Sequence, residues 1–228
     1  TVEREVRTVR GGVGFCDVST LGKIDVMGPD AGTFLDRVYV NGFSGLAVGK
    51  ARYGLMLRED GIVMDDGTTA RLGEDHYFMT TTTAKAGAVM QHLEFCRQVL
   101  WPRLDVQLAS CTDQWAQFSV AGPQSRRLVA ALLEDDEDVS DERFPFMAAR
   151  AVRLRGGLPA RLFRISFSGE LAYEVSLPAR FGDAMARRLM TAGAEFGVTP
   201  YGTEALGVMR IEKGHVAGPE INGNTTAA

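Results

Sequence analysis

The chain has 228 residues, 45% of them apolar and 24% charged, with a formal net charge of −4. That is ordinary for a globular protein with apolar material for one large domain or two joined ones; the dispersed charge argues against nucleic acid, and no apolar run is long enough to make a membrane a partner. Three widely spaced cysteines, Cys16, Cys96 and Cys111, form neither a CxxC pair nor a disulfide framework, so a reducing, cytoplasmic setting is expected.

"TVEREVRTVR" predicts a helix already under way and, with the polar close "EINGNTTAA", suggests a piece of something longer. Gly11, Gly12 and Gly14 in "GGVGFCDV" precede a strand. A dinucleotide fingerprint joins a strand to a helix instead, so these read as turn glycines, and there is no P-loop. "LGKIDVMGPDAGTFLDRVYV" then runs an alternating strand through Gly28-Pro29 into an amphipathic helix burying Phe34, Leu35 and Val38, with Pro expected in the first helical turn. A meander over 51–82 follows, with Asp60-Gly61 as a hairpin signal. A helix over about 84–100 should bury Val89, Met90, Leu93 and Val99.

The strand–Gly–Pro–helix pattern recurs in "QWAQFSVAGPQSRRLVAALL" at Gly122-Pro123. The acidic "LLEDDEDVSDERF" reads as a solvated loop. "ARAVRLRGGLPARLFRISFSGELAYEVSLP" reads as strands turning at Gly156-Gly157. "ARFGDAMARRLMTAGAEFG" is a helix ending at Gly197, and "YGTEALGVMRIEKGH" another, capped near Gly214. Two strand–helix–strand–strand–helix modules in tandem predict an α+β fold with largely antiparallel sheets.

Few side chains suggest chemistry. His76 falls in a turn and should be exposed, His92 sits in mid-helix, and His215 follows a helix C-terminus; with no cysteine beside them, no metal site is expected. Ser166 and Ser168 lack a nucleophile-elbow pattern. Carboxylates in apolar settings remain: Asp65 and Asp66 in "GIVMDDG", Glu170 and Glu174, and Glu204 and Glu212 with Arg210. Successive strand residues face opposite ways, so one acid of the Asp65-Asp66 pair must turn toward the core.

"GFCDVSTLGKIDVMGPDA", "ARYGLMLREDGIVMDDG", "FSGELAYEVSLP" and "YGTEALGVMRIEKG" resemble the folate-binding aminomethyltransferase fold of the glycine cleavage T-protein. "MTTTTA", "RISFSGELAYE" and "YGTEALGVMRIEKGHVAG" are closer still to the α-subunit family of heterotetrameric sarcosine oxidases. The resemblance implies the first two lobes of a three-lobed fold, 1–110 and a ferredoxin-like 111–228. The third lobe and an N-terminal dinucleotide-binding region would lie outside this chain. It further implies that the one-carbon unit of oxidised sarcosine passes to tetrahydrofolate, giving 5,10-methylenetetrahydrofolate and glycine. FMN, FAD and NAD would belong elsewhere in a complex with a flavin-containing β subunit and smaller subunits. A freestanding aminomethyltransferase and a non-catalytic folate-binding scaffold are the alternatives.

Residue by residue, the resemblance turns Asp65 inward beside folate and Asp66 away. It makes Tyr53 a wall for the ligand rings, Glu170 the acid facing the amino-pyrimidine edge, Tyr173 a packing residue in the same strand and Arg210 a match to a family arginine, and it counts these four with Asp65 and Thr81 as folate-binding positions. Thr81 stands where the T-protein has Asn, and Leu206 where it has Arg.

Overall fold

The strand–Gly–Pro–helix junction read twice in the sequence is built twice in the chain. Strand β2 (Gly22–Met27) leads through Gly28 into α2 (Ala31–Val38), and β7 (Trp115–Ala121) through Gly122 into α4 (Ser125–Leu132). Both glycines have left-handed backbones, with φ of +122° and +126°. A Cβ on Gly28 would lie 2.4 Å from the Asp105 carbonyl oxygen, and one on Gly122 2.3 Å from that of Gly12. Only glycine fits either position. The prolines come earlier than the first helical turn: Pro29 and Pro123 are each second in a turn closed by Ala31 N–H to Gly28 O at 3.0 Å and by Ser125 N–H to Gly122 O at 2.9 Å.

The computed structural model describes residues 1–217, 220 and 221, so the polar segment from 222 onward lies outside the described residues. The chain divides into two units, one of Thr1–Ser19 with Asp113–His215, the other of Thr20–Thr112 with the described residues from Val216 on. Thr1–Ser19 thus belongs with Asp113–His215 and not with the Thr20–Thr112 segment that follows it in the chain. The reason is pairing: β1 (Gly14–Asp17) runs antiparallel to β7, Gly14 opposite Ala121 and Asp17 opposite Phe118.

The Thr20–Thr112 unit is a five-stranded antiparallel sheet in the order β3 (Lys50–Leu57), β4 (Val63–Gly73), β5 (His76–Thr81), β2, β6 (Gln107–Ser110). Phe34, Leu35 and Val38 of α2 meet Ile24, Val26, Met56 and Met79 of the strands in its core. Helix α3 (Ala86–Phe95) adds Val89 and Leu93 to that core, with Met90 half-buried against it. Val99, expected inside, is 60% exposed. The helix changes to a π turn over Cys96–Leu100, whose wider winding swings Val99 off the buried stripe. His76, expected exposed, is half-buried with Nε2 2.7 Å from Asp25 Oδ1.

The other unit holds a six-stranded sheet in the order β11 (Thr199–Pro200), β1, β7, β10 (Ala172–Pro178), β9 (Leu158–Phe163), β8 (Ala149–Leu154), and only β11–β1 is parallel. Strand alternation divides its apolar residues between two faces. Val120, Tyr173 and Val175 join Leu128 of α4 and Leu189 of α5 (Gly182–Ala192) in one cluster. Ala121 and Ala172 join Val9 of α1 (Val2–Gly11) and Met209 of α6 (Thr203–Lys213) in another. The acidic segment is a loop, as its charge predicts, but it is tied down. Glu137 accepts the Arg153 N–H, and Arg150, Arg153 and Arg155 pair with Glu137, Asp136 and Asp135.

Among the described residues the three cysteines are buried, and no helix is long and apolar enough to cross a membrane. The fold is α+β with mainly antiparallel sheets, as the element order predicts.

Candidate functional site

Strand β4 separates its two adjacent acids. Asp65 is 2% exposed, on the face it shares with its cross-strand partner Met56, a core residue. Asp66 is half-buried on the other face, opposite Leu55. Directly opposed antiparallel residues point the same way, so Tyr53, opposite Thr68, shares the face of Asp66. The Tyr53 hydroxyl donates to Asp66 Oδ2 at 2.8 Å. The sheet therefore does not bring Tyr53 and Asp65 together on one face, and Tyr53 serves the neighbouring acid instead.

The Asp65 carboxyl is half satisfied. Its Oδ2 accepts the Thr82 backbone N–H at 3.1 Å, while Oδ1 is buried with no hydrogen-bond partner. Burial pushes this carboxyl up to about 6, against the opposing pull of its hydrogen bonds with Thr82; the charge of Asp66 pushes the same way as burial. A buried acceptor left without a donor costs about 1–3 kcal/mol, so an oxygen in this state is suited to a ligand N–H or to a developing positive charge. Thr81, 2% exposed, is adjacent to the Thr82 that holds Asp65, and its own Oγ1 donates to the Thr82 carbonyl at 3.2 Å. The structure thus brings Asp65 and Thr81 together within one unit.

Glu170, Tyr173 and Arg210 belong to the other unit. Glu170 lies just before β10, in a loop that its serines hold in shape. Ser166 Oγ accepts the Gly169 N–H at 3.1 Å and donates to Glu170 O at 2.6 Å, and Ser168 Oγ accepts the Glu170 N–H at 3.3 Å. The Glu170 carboxylate accepts from Arg10 Nη1 at 2.8 Å through Oε1. Arg10, which no sequence pattern singles out, also donates from Nη2 to Glu212 Oε2 at 2.5 Å.

Tyr173 is a core residue rather than a ligand contact. It is fully buried, its ring stacks on Phe144 with centroids 6.2 Å apart, and its hydroxyl accepts from Arg126 Nε at 3.0 Å. Arg210 is 8% exposed and donates from Nη1 to the His215 carbonyl at 3.0 Å, holding the chain as it leaves α6. Leu206, where the T-protein pattern has Arg, packs with Val6 and Val18 against the apolar cluster between α1 and α6. No group of three His, Cys, Asp or Glu side chains among the described residues could hold a metal ion.

The GCVT N-terminal domain family model matches residues 1–228. The chain is 61% identical over its whole length to the sarcosine oxidase subunit alpha of Rhizobium meliloti (strain 1021), of which it spans 23%. It is 30% identical to an aminomethyltransferase of Corynebacterium aurimucosum, over 92% of this chain and 55% of that protein. Among solved structures it superposes on the glycine cleavage system aminomethyltransferase T from Bartonella henselae with a TM-score of 0.80 and 24% identity, over 95% of this chain and 55% of that one.

Proposed function

Because the chain belongs to the GCVT N-terminal domain family, we propose that it is the tetrahydrofolate-binding region of a sarcosine oxidase α subunit. The observation that carries this reading is the buried, half-satisfied Asp65. The higher identity to the oxidase subunit (61%) than to the aminomethyltransferase (30%) favours the oxidase setting over a freestanding transferase. On this reading oxidised sarcosine, formed at a flavin in a partner subunit, yields glycine and 5,10-methylenetetrahydrofolate.

Tetrahydrofolate supplies two nucleophilic nitrogens that take up one carbon at the formaldehyde level. The chain's own residues supply the surroundings. Asp65 is fixed by the Thr82 N–H and keeps Oδ1 without a donor, so it would offer that oxygen to a ligand nitrogen, where it would hold a proton or balance positive charge. A carboxyl near 6 is mostly ionised at neutral pH yet still exchanges a proton readily. Glu170 offers a carboxylate to the N–H donors of an amino-pyrimidine edge. Thr81 gives a hydroxyl where the T-protein has an amide, and Arg210 keeps α6 and the following chain in place.

In the full oxidase, Asp65→Asn should cut 5,10-methylenetetrahydrofolate formation by about a hundredfold or more while sarcosine oxidation continues and formaldehyde accumulates. Equal loss of both activities would mean that Asp65 serves assembly instead. A lipoyl-protein assay, expected to give no aminomethyl transfer, separates the oxidase reading from the freestanding transferase.

A further inference from the structure

We propose that Arg10 is a positioning residue that sets the Glu170 carboxylate for the amino-pyrimidine edge of a bound folate. This rests on the folate-binding reading above and assigns the side chain through which one of its contacts is oriented.

Arg10 stands in the last turn of α1 and draws on two other parts of its unit at once. Nη1 donates to Glu170 Oε1 at 2.8 Å and to the Ser168 carbonyl at 2.9 Å. Nη2 donates to Glu212 Oε2 at 2.5 Å and to the Met209 carbonyl at 3.4 Å. A planar guanidinium reaching four acceptors has no rotational freedom left, so the Glu170 oxygen it holds is fixed relative to both α1 and α6. The backbone of Glu170 is fixed separately by Ser166 and Ser168. Glu170 Oε2 accepts no hydrogen bond from any described residue. One oxygen is thus clamped, and the other is presented.

The ion pairs divide the same way: Arg10 lies between two carboxylates, Glu170 and Glu212, and each of its arms takes one oxygen of one of them. Lysine in its place would supply a point charge but not the two-armed fork that spans both acids.

The test is binding selectivity in the full protein, measured by calorimetry with tetrahydrofolate and with an analogue lacking the 2-amino group, for wild type, Glu170→Gln, Arg10→Gln and Arg10→Lys. Arg10→Gln should weaken tetrahydrofolate binding about tenfold, a 1.4 kcal/mol effect, and change analogue binding by less than about twofold. It should therefore lose selectivity as Glu170→Gln does, with Arg10→Lys intermediate. A purely structural tie would weaken both ligands equally, and that result overturns the proposal, as does wild-type selectivity in Arg10→Gln. If wild type binds neither ligand, the folate reading itself fails and takes this proposal with it. Should Arg10→Gln not fold, Glu212→Gln removes one tether on Arg10 without touching Glu170, and it must show the same selectivity loss in smaller measure. Unchanged selectivity in that variant counts against the proposal.

Discussion

Asp65→Asn should change the pH dependence of stability by an amount fixed by where the side chain sits. Burial raises the carboxyl from 3.8 to about 6. Between those values the folded protein keeps a proton that the unfolded chain has released, so stability falls as pH rises through this window. Above it the cost levels off at about 3 kcal/mol, taking 1.36 kcal/mol per unit as an order-of-magnitude conversion. Asparagine does not ionise and escapes this cost, but its amide N–H, in place of the partnerless Oδ1, becomes a buried donor without an acceptor, at about 1–3 kcal/mol. The two effects largely cancel near neutral pH, so a single melt at pH 7 decides nothing. The difference between the two proteins is informative because every other titrating group is common to both. Urea melts at half-unit steps from pH 4 to 8 should show the variant gaining on wild type through pH 4 to 6 and then holding level. A difference that stays flat over that range would mean that Asp65 is solvated in the native protein, and the desolvation argument would collapse.

Gly28→Ala and Gly122→Ala should each destabilise by about 2–4 kcal/mol, since both backbones are left-handed and each Cβ would meet a carbonyl oxygen; thermal melts within about 0.5 kcal/mol of wild type would contradict the junction geometry. Val99→Glu should change stability by no more than about 0.5 kcal/mol, because the π turn leaves Val99 in solvent, whereas Val89→Glu should prevent folding. Cys16, whose thiol burial pushes up to about 11, should resist alkylation at pH 8 until the protein is unfolded. Peptide mapping after iodoacetamide treatment checks this, and rapid labelling of the native protein would refute it.

What the sequence revealed follows from how local each requirement is. The two Gly-Pro junctions were legible because a left-handed φ and a carbonyl against the α-carbon leave one permitted residue, and that constraint is written at a single position. The π turn was not legible, because Cys96–Leu100 contains no Gly or Pro and continues the helix without punctuation. The place of Thr1–Ser19 depends on β1 meeting a strand some hundred residues later, and a four-residue strand carries no mark of its partner. Tyr173 is in phase with Val175 and Leu177, and that alternation assigns it to the core face.

The acids show the same division. That one of Asp65 and Asp66 must turn inward follows from strand geometry; that Tyr53 then belongs to Asp66 follows only from the β3–β4 register. Arg10 left no trace in the sequence because its acceptors are at residues 168, 170, 209 and 212, brought to it by folding. Yet the two acids expected to face a ligand, Asp65 and Glu170, share one physical feature across separate units. In each, one carboxylate oxygen is held by a donor of its own unit, the Thr82 N–H or Arg10, and the other accepts nothing from the described residues. The two differ in solvent: Asp65 Oδ1 is buried without a donor, whereas the Glu170 side chain is 24% exposed and water can reach its open oxygen. An acid clamped at one oxygen and open at the other is oriented before a ligand arrives, so the ordering cost of binding is met in folding.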